Sequence, residues 1–362
     1  MRIGVDGRKI PEAKKLGPVE SFTHAHGMGM EGLFFRTILD VSPTLDAGYI
    51  REVRDKADAL DMYFEAGLGK VNPYVMAEAP ELRAIGNGDT LLGFRRMMEA
   101  CAAVEVRELW VSTANYKPQF FGRLAYDRFR TDVSWQDQLE ATQKFMQKLA
   151  PIARHLGLHL NMETHEEITS FEILRMIEAV GEDVMGVVFD TGNVLQRAEH
   201  PVWAAKRVAP FTRQTHIKDA YVAFSPNGLA YQSRECGQGV IDFGEIVPIL
   251  HVENPELNLS IENNYSLSDQ PLVYLNDIEI FDKEWLAAHP DLSVAELAEF
   301  IELINDYKGR IERQEVTDFQ TYADAPFQYD ETVQWIKTSA EHLRSVCSAN
   351  GIPVNQPTAH AQ

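Results

Sequence analysis

The sequence has little of what a disulfide framework, a thiolate zinc site, a membrane span or a polyanion-binding surface needs. Its 362 residues include three cysteines, Cys101, Cys236 and Cys347, an odd number set far apart with no CxxC pair. That excludes a disulfide scaffold and a structural zinc site. Cys101 and Cys347 fall in helical patterns and read as small core residues, whereas Cys236 lies in a Gly-rich polar loop. No apolar run approaches the roughly 18 residues that a membrane span requires. The opening Met1-Arg-Ile-Gly-Val-Asp6-Gly lacks a charged region followed by an apolar one of signal-peptide length, so a cytoplasmic protein is expected. Basic charge is also short: 34 Lys and Arg against 54 Asp and Glu leave −20, which repels phosphate backbones and anionic lipid surfaces. Neither nucleic-acid nor membrane binding is expected. A Gly-rich phosphate loop is missing after the first strand-like run, which removes support for a doubly wound dinucleotide fold.

What is present is the material for a large core, with 45% hydrophobic and 24% charged residues. Short apolar runs alternate with helix-like segments at a single period. The strand-like runs are 2–6, 32–36, 62–67, 108–113, 158–163, 185–190, 212–217 and 257–261. Between them, Ile50, Val53, Ala57 and Leu60 share one face of a segment near 46–60, the spacing of a helix that covers a sheet. Further helices are expected at 19–28, 89–105, from a Ser134 cap to His155, from a Ser170 cap to Val180, and from Pro201 to before Pro210. Eight strands alternating with helices predict an α/β fold, a (β/α)8 TIM barrel over residues 1–264. Residues 265–330 are extra to a minimal barrel and predict an extension after strand eight, beside the active-site mouth. Residues 331–362 supply the last barrel helix and a tail. The long loop from Asn115 to Ser134, rich in aromatics, is expected to wall or cover a substrate.

Several strand-like runs end abruptly in polar side chains. Glu163 follows Leu-His-Leu-Asn-Met, Asp190 follows Val-Val-Phe, His216 follows Arg-Gln-Thr and Glu262 follows Leu-Ser-Ile. Glu163 to Asp190 is 27 positions and Asp190 to His216 is 26, each about one βα unit. Catalytic residues of a TIM barrel sit at such strand ends. Three carboxylates and one imidazole at four strand ends form a set suited to a divalent cation such as Mn²⁺, with Mg²⁺ or Co²⁺ as alternatives. Each residue alone would read as a structural hydrogen-bonding group. His165, two positions past Glu163, falls on the same side of the strand if the pleat persists. Lys218, beside Asp219, and Arg234 are candidates for substrate contact at the same mouth. Asn161, Asn263 and Asn264 are candidates to orient the ligands. His24 and His26 read as a helix or loop pair.

The motifs Glu163-Thr-His165, Phe189-Asp-Thr-Gly-Asn193, His216-Ile-Lys-Asp219, Gly237-Gln-Gly-Val-Ile-Asp-Phe243 and Ile261-Glu-Asn263 resemble the xylose-isomerase-like sugar isomerase/epimerase barrels. The resemblance covers most of residues 1–264. It implies a divalent metal held by Glu163, Asp190, His216 and Glu262, with a small sugar substrate chelating it. Many epimerases of that superfamily have His where this chain has Asn193, a substrate-binding position, which weighs against a plain ketose 3-epimerase. Glu-Thr-His followed by a long post-barrel segment is similar to the catalytic subunit of bacterial C-glycoside deglycosidases. That likeness implies a lyase acting on 3-oxo-glucosides, with His165 as base beside the metal ligands Glu163 and Glu262; Asn193, Lys218, Arg234 and Tyr116 are the expected substrate contacts from their own positions in the sequence. It also implies an oligomer with a small β subunit. The alternatives are an epimerase or isomerase of a free ketose or inositol, and a non-catalytic sugar-binding subunit.

Overall fold

The computed structural model describes residues 1–114, 117, 119–120, 122–263 and 276–355. Eight parallel strands form the barrel: β1 (Ile3–Asp6), β2 (Gly32–Phe34), β3 (Tyr63–Lys70), β4 (Glu108–Ser112), β5 (His159–Glu163), β6 (Met185–Asp190), β7 (Thr212–His216) and β10 (Leu259–Ile261). Between β7 and β10 the chain makes an antiparallel hairpin, β8 (Asp219–Ser225) and β9 (Gly228–Arg234), to which β11 (Asn276–Ile278) adds as a third strand. The barrel order is β10-β1-β2-β3-β4-β5-β6-β7, and a parallel bridge between Ile217 and Ile261 joins its two ends. A parallel sheet must be covered on both faces, and the strands read accordingly. All six residues of β6 are buried, as are all four of β1.

The helices that cover the sheet follow the expected apolar spacing. Ala47–Ala59 buries Ile50, Val53 and Ala57, and Thr90–Ala103 buries Phe94, Met97, Met98 and Cys101. The larger of these, Ile50, Val53, Phe94, Met97 and Met98, each contribute about 1.5–3 kcal/mol on leaving water. Cys101 and Cys347 are core residues, as expected, and burial pushes the Cys101 thiol up to about 12. Gly157, in the left-handed region at φ 66°, ends the helix Trp135–Leu156.

Several boundaries depart from expectation for local reasons. The first helix runs from Ala13 to Gly27, broken at Gly17 (φ 71°) before Pro18, so its regular part begins where the sequence places the helix. Thr169, not Ser170, caps Ser170–Val180. Its hydroxyl accepts from the Glu172 amide while the Glu172 carboxylate accepts from the Thr169 amide, a reciprocal pair. Ser170 instead donates its amide to Glu199 at 3.0 Å. β3 runs three residues past its expected end, with a register shift between Gly67 and Gly69. A Cβ at Gly67 would lie 2.4 Å from the Trp110 carbonyl and 2.5 Å from that of Arg36, so only glycine lets the strands approach there.

The segment after β10 packs on the barrel. Val294–Glu312 buries Phe300, Ile304 and Tyr307, and Glu296 on it pairs with Arg207 at 2.6 Å. The final helix, Tyr329–Ala349, buries Trp335, Ile336, Leu343 and Cys347. The loop after β4 is tied to this extension, since Arg123 pairs with Glu279 and Glu284, each at 2.7 Å. Among the described residues no helix is long and apolar enough to cross a membrane.

Candidate metal centre

The ends of β5, β6, β7 and β10 bring Glu163, Asp190, His216 and Glu262 together. One donor atom from each lies within 4.8 Å of the others, and all four residues are buried. Local structure aims each of them. Glu163 Oε1 lies 2.7 Å from His216 Nδ1, and its Oε2 accepts from the Trp110 indole at 3.0 Å. Phe34 stacks on the His216 ring at 4.2 Å, so the imidazole is clamped on its face as well as its edge. Asp190 caps the turn that follows it: Oδ1 accepts from the amides of Gly192 and Asn193, both at 2.9 Å. Its Oδ2 is buried and faces the Lys218 ammonium at 2.8 Å.

The donor set fits a divalent cation by its chemistry: three carboxylates and an imidazole are the hard and borderline donors such an ion prefers, and they converge within 4.8 Å. Burial, assisted by Glu262 and Glu163 and opposed by Lys218, pushes the Asp190 carboxyl up to about 7. Burial acts the same way on Glu262, but Lys218, Lys9 and Arg36 outweigh it and hold that carboxyl well below its usual range. Glu163 is likewise held down against burial, by His216 and His165.

The expected base is adjacent. His165 Nε2 is 3.8 Å from Glu163 Oε2, and Nδ1 is 2.6 Å from Glu167 Oε2. Glu167 is fixed in turn by the Thr113 hydroxyl, which donates to Oε1. Burial opposes a charged imidazole, but the Glu167 carboxylate outweighs it, and His165 lies above the ordinary histidine value. Glu167 itself, penalised by burial but favoured more by His165, falls to about 2. Lys70, which donates to the Ala114 carbonyl, is lowered by burial to about 8.

The remaining candidates divide. Lys218 joins the cluster: its ammonium is 2.7 Å from Glu262 Oε2 and 2.8 Å from Asp190 Oδ2. It lies across Gly192, where a Cβ would come within 2.8 Å of the Lys218 chain. Asn193 sits beside Asp190, with its side-chain carbonyl 3.4 Å from the Gln196 amide. Asn161 donates to Glu108 (2.9 Å) and Gln214 (3.1 Å) inside the barrel, and Asn263 donates to the Lys9 carbonyl at 2.9 Å. Arg234 is not brought to the cluster. Its guanidinium stacks on Tyr322 at 3.7 Å and donates to the Thr317 carbonyl at 3.2 Å, holding the extension to the hairpin. Cys236 is buried, with its amide on the Ser339 hydroxyl. His24 faces Tyr329 of the last helix. Tyr116 and Asn264 lie outside the described residues.

Sequence reasoning missed Lys9, Arg36, Trp110 and Glu167. Lys9 Nζ is 2.6 Å from Glu262 Oε1, and Arg36 donates to the same oxygen. Lys9 and Arg36 follow the ends of β1 and β2, so the strand-end rule applied to acidic and imidazole groups also reaches these cations. Glu167 lies past the end of β5 in the turn that follows His165, so strand periodicity does not reach it.

The structure is thus a closed parallel barrel with a buried carboxylate-imidazole cluster, able to hold a divalent cation, at the C-terminal ends of its strands. The chain belongs to the family described as xylose isomerase-like TIM barrel, which it matches over residues 22–284. Among curated relatives, the Escherichia coli K12 protein YihM is 34% identical over 87 residues, 24% of this chain and 27% of that one. The 3-oxo-isoapionate decarboxylase of Pectobacterium atrosepticum is 23% identical over 115 residues, 31% of this chain and 42% of that one. The chain thus spans less than half the length of these relatives. Of solved structures, the 3-keto-D-glucoside 4-epimerase YcjR of Escherichia coli aligns with a TM-score of 0.53 at 17% identity, over 81% of this chain and 100% of that one. A xylose isomerase-like barrel protein from Mycobacterium smegmatis, solved in complex with magnesium, aligns with a TM-score of 0.53 at 13% identity, over 80% and 88%. At these identities the structural likenesses show the fold.

Proposed function

We propose that this protein removes a proton α to the carbonyl of an oxidised sugar, with a divalent cation held by Glu163, Asp190, His216 and Glu262. The convergence of those four donors within 4.8 Å, with an imidazole beside them, is the observation that carries the reading. The cation supplies the Lewis acidity that a weakly acidic carbon next to a carbonyl requires. His165 takes the proton at Nε2. Glu167, on Nδ1, fixes the tautomer that leaves Nε2 basic and stabilises the imidazolium that results. The aromatic faces of Phe34 and Trp110 keep water from the donors. Two of the similar proteins act, by name, on 3-oxo or 3-keto sugar derivatives, which favours that substrate class.

The finer reading is elimination from a 3-oxo-glucoside. His165 takes the C2 proton, the C2–H electron pair becomes the C1–C2 double bond, and the aglycone leaves C1 with the bonding pair and is protonated. Mn²⁺ is the preferred ion in this reading, and an oligomer with a small β subunit is its assembly. The second reading, epimerisation of a free ketose or inositol derivative, uses the same proton abstraction followed by return to the opposite face. Incubating Mn²⁺-loaded protein with 3-oxo-glucosides beside a panel of free ketoses separates the two. Released aglycone supports elimination, and a new epimer with glycosides intact supports the alternative. Absence of both products, with His165→Ala unchanged in sugar binding and assembly, would leave a non-catalytic sugar-binding subunit.

A further inference from the structure

The β8–β9 hairpin carries a buried phenol to the side of the mouth where Asp190 and Lys218 meet. Alternation along β9 puts Tyr231 and Arg234, three positions apart, on opposite faces of the ribbon. Arg234 turns to Tyr322 of the extension, and Tyr231 turns the other way, toward the barrel. There its hydroxyl meets Gly192, two residues past Asp190. A Cβ at Gly192 would lie 2.9 Å from the Tyr231 hydroxyl and 2.8 Å from Lys218 Cγ, so glycine lets the two side chains close over the turn. Lys218 in turn reaches Asp190 Oδ2 at 2.8 Å and Glu262 Oε2 at 2.7 Å. The charges that act on the phenol are those of Lys218, Asp190, Glu166 and Glu262, two of them candidate ligands. Tyr231 is 5% exposed, yet among the described residues no group donates to its hydroxyl or accepts from it. A buried tyrosine ordinarily finds a partner for its hydroxyl, and one that does not calls for an explanation.

We infer that the Tyr231 hydroxyl donates a hydrogen bond to the substrate oxygen on which negative charge develops as His165 takes the α-proton. The role rests on the carbonyl chemistry proposed above; the placement of the phenol does not. A phenol keeps its proton at neutral pH, so it meets that oxygen as a donor. Its strand is fixed on both sides, with Tyr231 paired to Val222 and to Asn276, so the donor needs no rearrangement when the charge appears. Tyr231 gives up no proton. The α-proton goes to His165, its electron pair forms the carbon–carbon double bond, the carbonyl π pair moves onto the oxygen, and the phenol shares its hydrogen with that oxygen.

Tyr231→Phe removes the hydroxyl and almost no volume. Because that hydroxyl has no partner in the fold, the variant is expected to melt at or above the wild-type temperature. A loss of several degrees overturns the inference, since the hydroxyl then holds the fold. Two further readouts use Mn²⁺-loaded protein with metal content checked. The rate of α-proton loss from methyl 3-oxo-β-D-glucopyranoside or D-fructose, whichever the wild type turns over, should fall about ten- to hundredfold in kcat with KM within about threefold. Calorimetric affinity for D-threonohydroxamate, a planar anionic mimic of an enediolate, should fall about tenfold or more. A kcat within about threefold of wild type overturns the inference, and so does a rise in KM alone, because the contact is then made equally before charge develops. Equal hydroxamate affinity in the two proteins also overturns it, since the phenol then acts through Gly192 or Lys218, and so does a wild type that binds no hydroxamate. The fate of the proposed function is read separately. Full turnover in the variant leaves the chemistry standing without Tyr231. Hydroxamate affinity lost in the variant, with no α-proton loss from either probe in the wild type, upholds the contact with an anionic oxygen and refutes the chemistry.

Discussion

Replacing Glu167 by Gln removes one charge and almost no volume from beside His165. In the wild-type protein the carboxylate sits 2.6 Å from Nδ1 and holds the imidazole above its ordinary value despite burial. Two effects follow, and they run in different directions. The variant imidazole loses its proton at lower pH, so the acidic limb of the kcat/KM profile moves down in pH. The same loss makes Nε2 a weaker base and leaves the imidazolium without its counter-charge, so the plateau falls. A hydrogen bond to a charged partner is worth about 1.5–3 kcal/mol, which converts to roughly one to two orders of magnitude in rate. The assay is exchange of the substrate α-proton with deuterated solvent, followed by NMR from pH 5 to 9, with bound metal quantified in parallel. A plateau within about twofold of wild type and an unmoved limb, at equal metal content, would refute the coupling of Glu167 to the base, because either change alone exceeds that margin.

Other consequences can be measured separately. Asp190→Asn and Glu262→Gln should each lose stoichiometric cation after dialysis, read by elemental analysis, and wild-type protein should melt lower after chelation. An ion at a hundred times its Kd contributes about 2.7 kcal/mol, so an unchanged Tm on chelation would count against a resident metal. Burial pushes Glu65 up to about 7 from the ordinary 4.5, against hydrogen bonds from Asn258 and Ser260. The folded state therefore holds a proton that the unfolded chain has released, and this group makes stability fall as pH rises from about 4.5 to 7, by on the order of 3 kcal/mol. Glu65→Gln should flatten that part of the stability–pH curve in denaturant titrations, and an equal slope would exclude the assignment. Arg207→Ala leaves Glu199 and Glu296 buried without their shared cation, which Arg207 reaches at 2.9 and 2.6 Å. A loss of about 3–5 kcal/mol in chemical denaturation is expected, and less than 1 kcal/mol would contradict it.

The barrel and its four-donor centre were legible because both follow from one-dimensional rules. A buried parallel strand is an apolar run, and its functional end is where the run stops, as at Phe189-Asp190 and Ile261-Glu262. The hairpin Asp219–Arg234 was not seen, although Pro226-Asn227-Gly228 between two alternating runs is a turn signal that could have found it. Arg234 was misplaced for the same reason: pairing with Asp219 across that hairpin carries it toward Tyr322 and the extension. Lys9 and Arg36 stand just past strand ends, where the strand-end rule reaches them, but a lysine or arginine there is ordinarily solvated and the rule does not say which partner it meets. Only closure of the ring brings them to a glutamate more than two hundred positions away.

The joint of that ring has a consequence of its own. β7 and β10 meet, among the described residues, through two backbone hydrogen bonds, Ile217 to Ser260 at 2.7 Å and Glu262 to Ile217 at 2.9 Å, and through the Thr215 hydroxyl, which donates to the Asn258 carbonyl at 2.7 Å and accepts from the Ser260 amide at 3.1 Å. His216 and Glu262 stand on opposite lips of this join. An ion gripped by both acts as a clasp, and its departure frees the lips to part. Amide exchange at Ile217 and Glu262 should thus quicken on chelation while the β5–β6 ladder stays quiet, which would make the site a fastener of the fold as well as the proposed place of chemistry.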